Sequence, residues 1–271
     1  MPGSPATTPT CIAIDWSGDA TAAGQRRKIV AATVRDGRVT EVASGRTRAE
    51  VAAWVHTITT KPTSAAATAP TLVGFDFSFS VPHWFARANG CRSIDAVWAL
   101  VAERGEEWLH DCAPPFWGRP ATRCTIDTRD RFRACEHRLR ADHRQPKSLF
   151  QIGGAGAVGT GSLRGMPWLA WLRARGMAVW PFDPIGRVTA LEVYPSLYAK
   201  VTTNDWSGRA AHLEPVPSSV LAGSDRRAAI ASDDAFDAVV TALAMWDRRD
   251  ELLSLPAATD EVTLLEGDVW V

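Results

Sequence analysis

Several acids interrupt segments whose other residues ask for an apolar core. CIAIDWSG ends a short apolar run in Asp15, followed by Ser17 and Gly18. In GFDFSFS, Phe75, Phe77 and Phe79 alternate with Gly74, Asp76 and Ser78. An extended chain therefore shows one aromatic face and one small face carrying a single acid. ALEVYP sets Glu192 between Leu191 and Val193. SDDAFDAVVTALAMW places Asp234 and Asp237 three apart, on one side of a helix. Ala235, Ala238 and Ala242 let that helix approach a sheet closely, and Phe236, Val240 and Leu243 form its apolar stripe. An acid within such a pattern is costly unless paired or coordinated. Carboxylates from separate elements suit Mg²⁺ or Mn²⁺, hard ions that take oxygen ligands. Ions held this way activate water and stabilise the leaving oxygen in phosphodiester cleavage.

Each acid also has a plainer explanation. Asp15 and Asp76 could be turn residues at strand ends. Asp233 and Asp234 could favour a helix N-terminus capped by Ser232. Glu192 could pair with an Arg. The joint occurrence is harder to explain that way, and it makes Asp15, Asp76 and Asp237 the expected centre. Asp234 or Glu192 would complete the metal shell, with Asp15 bridging and Glu192 also a candidate catalytic acid.

The elements that must position these residues follow from the apolar pattern. Residues 1–10, MPGSPATTPT, read as a disordered tail, and 11–271 as one domain. CIAID, RKIVAATVR and RVTEVAS read as three antiparallel strands, the last two joined at Asp36-Gly37, a type I′ hairpin signal. A helix is expected over about 47–60, then the loop KPTSAAATAP and a buried strand, TLVGFDFSFS. Residues of about 82–176 read as a helical insertion, with helices near 93–110 and 129–144. MAVWPF and RVTALEVY are two further strands, and the last long helix covers about 232–249. The fold class is thus α/β, a mixed sheet flanked by helices.

IAIDWSG, GFDFSFSVP, VWPFDP, LEVYPSL and DDAFDAVVTALAMW together resemble the bacterial proteins described as predicted ribonuclease H-like nucleases, a domain-of-unknown-function family. The D-x-x-D-A helix also resembles that of the bacterial Holliday-junction resolvases in the same superfamily. The matching segments span about 11–246, and their order is more specific than any one of them. The resemblance implies a five-stranded mixed sheet, its first three strands antiparallel, and metal-dependent cleavage of nucleic acid. It matches Asp15 to the first-strand acid, Asp76 to the acid after the fourth strand, and Asp237 to the final-helix acid. Asp234 matches the resolvases' helix partner, and Glu192 falls in the E-V-Y-P segment.

Other signals concern substrate. The stretch 119–147 is rich in Arg, with Phe116, Trp117, Phe132 and Phe150 interleaved, a composition suited to a nucleic-acid strand. Its Asp and Glu residues also allow an ordinary solvated helix. Arg129, Arg133 and Lys147 are its candidate substrate contacts. Trp16 could stack on a base, Ser17 follows the first acid, and His83 could reach the site. Gly154, Gly156 and Gly159 form G-x-G-x-x-G, with Asp183 beyond. The strand that should precede a dinucleotide fingerprint is poor, so a loop meeting phosphates through backbone N–H groups, at Gly154 and Gly156, is the better expectation.

The net charge is zero, so no global field recruits nucleic acid. The five cysteines form no C-x-x-C pair, which suggests reduced thiols in a cytoplasmic protein. No apolar run is long enough to span a bilayer, so no membrane partner is expected. Two other functions compete with a nuclease. One is a phosphotransferase of the actin and sugar-kinase type, whose first strand also ends in Asp followed by Gly; here D-W-S-G stands in that place. The other is a non-catalytic binding module that retains the fold.

Overall fold

A central strand buried on both faces cannot alternate apolar and polar residues, and CIAI does not. In a computed structural model, which describes residues 8–60, 69–120, 122–199 and 205–271, this run lies in β1 (Thr10–Asp15). Antiparallel β2 (Val30–Arg35) pairs with β1 on one side and parallel β4 (Thr71–Phe75) on the other. β3 (Arg38–Ala43) closes the hairpin, and Asp36 and Gly37 adopt φ of 48° and 74°, as a type I′ turn requires. β6 (Val188–Glu192) is parallel to β4, and the two-residue β5 (Ala178–Val179) is parallel to β6. The order β3-β2-β1-β4-β6-β5 makes six strands rather than five, the sixth place being the short edge strand.

Alternate residues of β1 enter different cores. Ile12 and Ile14 join one with Val73 and Phe75, while Cys11 and Ala13 join the other with Leu72 and Leu191. The first core is covered by α2 (Arg48–Thr60), α4 (Ile94–Asp111) and α6 (Gly159–Arg173). The segment expected as an insertion therefore supplies a covering layer; it also holds α3 (His83–Ala88) and α5 (Ala134–Ala141). The second core is covered by α8 (Gly223–Ala231) and α9 (Asp233–Asp247), with α7 (Trp206–Leu213) beside α8. The short helices α10 (Arg249–Leu253) and α11 (Glu261–Glu266) complete the chain.

α9 is fixed by its own pattern. Ser232 Oγ accepts from the Ala235 N–H as N-cap, and Ala235, Phe236, Ala238, Val239 and Ala242 are buried. Burying a side chain such as Phe236 stabilises by about 1.5–3 kcal/mol. The close approach demands glycine at 74: a Cβ there would lie 2.8 Å from Met245 Sδ of α9 and 2.8 Å from Val193 Cγ1. The small face of this strand thus admits a helix at Gly74.

Several boundaries differ from those expected. α1 (Ala22–Lys28) intervenes between β1 and β2, capped by Thr21 and ending in Arg26, Arg27 and Lys28, which suits a helix C-terminus. The helix expected over 129–144 covers only Ala134–Ala141, preceded by a 3-10 turn at Thr128–Asp130. β4 stops at Phe75, although Phe75, Phe77 and Phe79 still share one core. β1 already begins at Thr10, inside the expected tail. Most of that tail and of the loop KPTSAAATAP lies outside the described residues. The five cysteines are free. Among the described residues, no helix is long and apolar enough to cross a membrane.

Candidate functional site

The parallel pairing of β1 and β4 brings two acids side by side. Asp15 is the last residue of β1, Asp76 follows β4, and the Asp76 N–H donates to Ile14 O at 3.1 Å. α9 crosses β1 and β2 with Asp234 and Asp237 in its first two turns. Asp15 is hydrogen-bonded to both Asp234 and Asp76. Burial pushes the Asp15 carboxyl well above its ordinary range, and the charges of Asp76, Asp234 and Asp237 push it further. Asp76 is pushed up to about 8, first by burial and then by Asp237 and Glu192, with the Asp15 hydrogen bond opposing. Asp237 is pushed up to about 7 by burial, then by Asp233 and Asp234, with Arg209 opposing. Asp234 is raised by burial and Asp233, against its bond to Asp15 and the charges of Lys28 and Arg27. The charges acting most on Asp15 and Asp76 are all carboxylates.

This donor set fits a hard divalent cation in kind: four carboxyl groups from three elements repel one another, and Asp237 Oδ1 is buried without a hydrogen-bond partner. It is not a closed cage. Among the described residues, no three His, Cys, Asp or Glu side chains form a ready-made metal-binding group. Asp15, Asp76 and Asp234 line a cleft of about 500 Å³, and Asp237 is not among its lining residues. The helix acid facing the cleft is therefore Asp234, whereas the apolar pattern had put Asp237 first.

Glu192, the last residue of β6, has a different partner. Its Oε2 accepts from the Phe79 N–H at 2.8 Å and from Arg133 Nη1 at 2.9 Å, and its Oε1 accepts from Arg133 Nη2. Both oxygens are engaged, so the ion-pair explanation describes this acid, although it lines the same cleft. Arg133 is itself 1% exposed. It also donates to Glu136 Oε1 through Nε at 3.1 Å and Nη2 at 2.8 Å, and to Glu266 O at 3.1 Å. Its donors are committed inside the protein, which corrects its expected role as a substrate contact.

The remaining candidates separate. Trp16 and Ser17 line the cleft, but Trp16 is mostly buried against Phe75 and Phe77, with ring centroids 5.7 and 5.1 Å away. Ser17 Oγ accepts from the Asp19 N–H at 3.2 Å. Lys147 lines the cleft, is exposed and has no ion-pair partner among the described residues. Arg129 is exposed, 3.6 Å from Asp130, and does not line the cleft; nor does His83, whose Nε2 lies 3.8 Å from Glu261 Oε1. Gly154 and Gly156 have φ of 77° and 73°, and it is the following residues, Ala157, Val158, Thr160 and Gly161, that form the wall. Among the described residues, no strand of the sheet leads into this loop, and Asp183 accepts from Arg173 and from the Val179 N–H, which removes the dinucleotide reading.

The sequence did not point to the loop after Asp15 as a braced structure. Arg48 Nη1 donates to Ser17 O and Asp19 O, each at 2.8 Å, and Arg164 Nη1 donates to Gly18 O. A Cβ on Gly18 would lie 2.6 Å from Gly161 N, so this loop and the start of α6 meet backbone to backbone. Lys28, Leu139, Tyr194 and Val269 also line the cleft and were missed. Only Tyr194 left a trace, two residues after Glu192 in the same extended segment. Compared with protein-family models, curated proteins and solved structures, the chain matches none.

Proposed function

We propose that this protein is a Mg²⁺- or Mn²⁺-dependent nuclease that hydrolyses phosphodiester bonds, of the ribonuclease H-like kind its sequence segments resemble. The observation that carries the reading is the meeting of Asp15, Asp76 and Asp234 at one cleft, with Asp237 close enough to raise its neighbours and no cation dominating Asp15 or Asp76. Asp15, Asp76 and Asp234 would hold the metal, with Asp237 behind them. A bound divalent ion supplies an activated water and charge stabilisation on phosphate oxygens. The chain's own part is to orient the acids through the β1–β4 register and to brace the 17–19 loop through Arg48 and Arg164. Lys147 presents a positive charge to a phosphate at the cleft's edge. In the overall reaction, water's oxygen bonds to phosphorus, the bond to one ester oxygen breaks, and that oxygen leaves with a proton.

Purified protein incubated with Mn²⁺ and labelled single-stranded, duplex, hybrid and branched substrates should cleave at least one, and Asp15→Asn should abolish it. Absence of cleavage on every substrate, with Asp15→Asn indistinguishable from the parent, would sink the nuclease. Stabilisation by ATP but not by oligonucleotides would turn the reading to a phosphotransferase. A protein indifferent to metal and to acid-to-amide changes would be a binding module.

A further inference from the structure

The cleft has a second character besides its acids. Leu139, Val269 and Tyr194 line it, and all three belong to a small apolar cluster separate from both sheet-facing cores. Tyr194 is half-buried, and its hydroxyl donates to Gln145 O at 3.2 Å, which fixes its ring beside Pro146 and Lys147. The cleft is thus bounded by three kinds of surface: the acids at the sheet end, an apolar wall with an aromatic ring, and the ammonium of Lys147, which has no ion-pair partner among the described residues, whereas Lys28 is paired with Asp19. Its volume, about 500 Å³, suits a small-molecule ligand.

The basic stretch does not extend this surface. Of its Arg and Lys residues, only Arg133 and Lys147 line the cleft, and Arg133 is held by Glu136 and Glu192. Arg138 pairs with Asp268, Arg140 lies over Phe132, and Arg131 donates to Ile126 O. A groove that tracks a nucleic-acid backbone needs several free cations in series. Here the cleft offers one such cation from this stretch, and the chain's net charge is zero. That matches one phosphate better than many.

Resting on the nuclease reading, we propose that the cleft receives a single nucleotide unit with an unpaired base, as a free mononucleotide or the end of a strand. The base lies against Tyr194, Leu139 and Val269, and the phosphate lies between Lys147 and the acids. An aromatic, apolar wall suits a base face, since stacking and burial reward a flat apolar ring and give little to a sugar. An interior phosphodiester of an intact duplex would have to be extruded to enter.

The test uses the full chain with Ca²⁺ and calorimetric titration of adenosine 5′-monophosphate and inorganic phosphate, followed by Mn²⁺ digestion of free-ended single strands and closed circular duplex. The mononucleotide should bind about tenfold or more tightly than phosphate, and Lys147→Met, an exposed change, should weaken it about tenfold. Tyr194→Ser should weaken the mononucleotide and leave phosphate unchanged. Free-ended strands should be cut and closed duplex spared. Equal binding of the two ligands, indifference to Lys147→Met, or equally fast cutting of closed duplex would overturn the inference. Closed duplex cut by the parent but not by Asp15→Asn leaves the nuclease standing and removes only the nucleotide pocket. Selective mononucleotide binding with no cleavage of any strand keeps the pocket and removes the nuclease.

Discussion

Two groups of acids stand at the same end of the sheet and behave in opposite ways. Around Glu192, Arg133 occupies the centre, and every carboxylate oxygen of Glu192 meets a donor. Around Asp15, the nearest influential charges are other carboxylates, which push its carboxyl further up, and Asp237 Oδ1 has no hydrogen-bond partner among the described residues. Both groups are acids at strand or helix ends beside apolar residues, so residue type and burial do not separate them. The counter-charge does. A group that carries its own cation is complete, whereas one that lacks it is poised for a cation from solution.

The largest test of this contrast is to remove the internal cation. Arg133→Met should destabilise by about 3–5 kcal/mol in urea denaturation, because it strands buried carboxylates. Adding Glu192→Gln should recover part of the loss. Asp76→Asn should act the other way in metal-free protein, stabilising it by on the order of 1–2 kcal/mol at pH 8 through relief of repulsion. If both single variants destabilise alike, the two groups do not differ as described.

Next in size is the response to pH. Asp76 and Asp237, at about 8 and about 7, keep protons in the folded chain at pH values where the unfolded chain, near 3.8, has lost them. The folded state's advantage from them is therefore complete below about pH 4 and is lost as pH rises through 7 to 8. Metal-free protein should melt several degrees lower at pH 8 than at pH 5. Mn²⁺ should restore more at pH 8, where it no longer competes with protons, and at about a hundred times its Kd it adds about 2.7 kcal/mol. A melting temperature that rises with pH in metal-free protein would contradict the raised acids. The smallest effect should come from Arg129→Ala, within about 0.5 kcal/mol and without change in cleavage, since this exposed side chain does not line the cleft. A large loss of cleavage there would mean that substrate reaches well beyond the cleft.

Much of the fold was legible because its signals are local. The CIAI run, the Asp36-Gly37 turn and the Ser232-capped apolar helix each state their own conformation through steric and periodic rules. α1 was hidden because the apolar run of β2 directly follows its basic last turn. β4 was overextended because the Phe75, Phe77 and Phe79 alternation continues after the ladder hydrogen bonds stop.

The sequence by itself determined that acids would stand at the ends of core strands and at the start of a helix, since alternation and periodicity fix where a side chain can point. Only the tertiary structure decided which acids share a site. Arg133 lies 59 residues from Glu192, and no local rule pairs them. Asp234 and Asp237 share one side of a helical wheel, yet the crossing of α9 over β1 and β2 brings the first to the cleft and leaves an oxygen of the second buried. Charge neutralisation acts through space over a few ångströms, so it is set by packing between distant segments and leaves no mark in the order of residues along the chain.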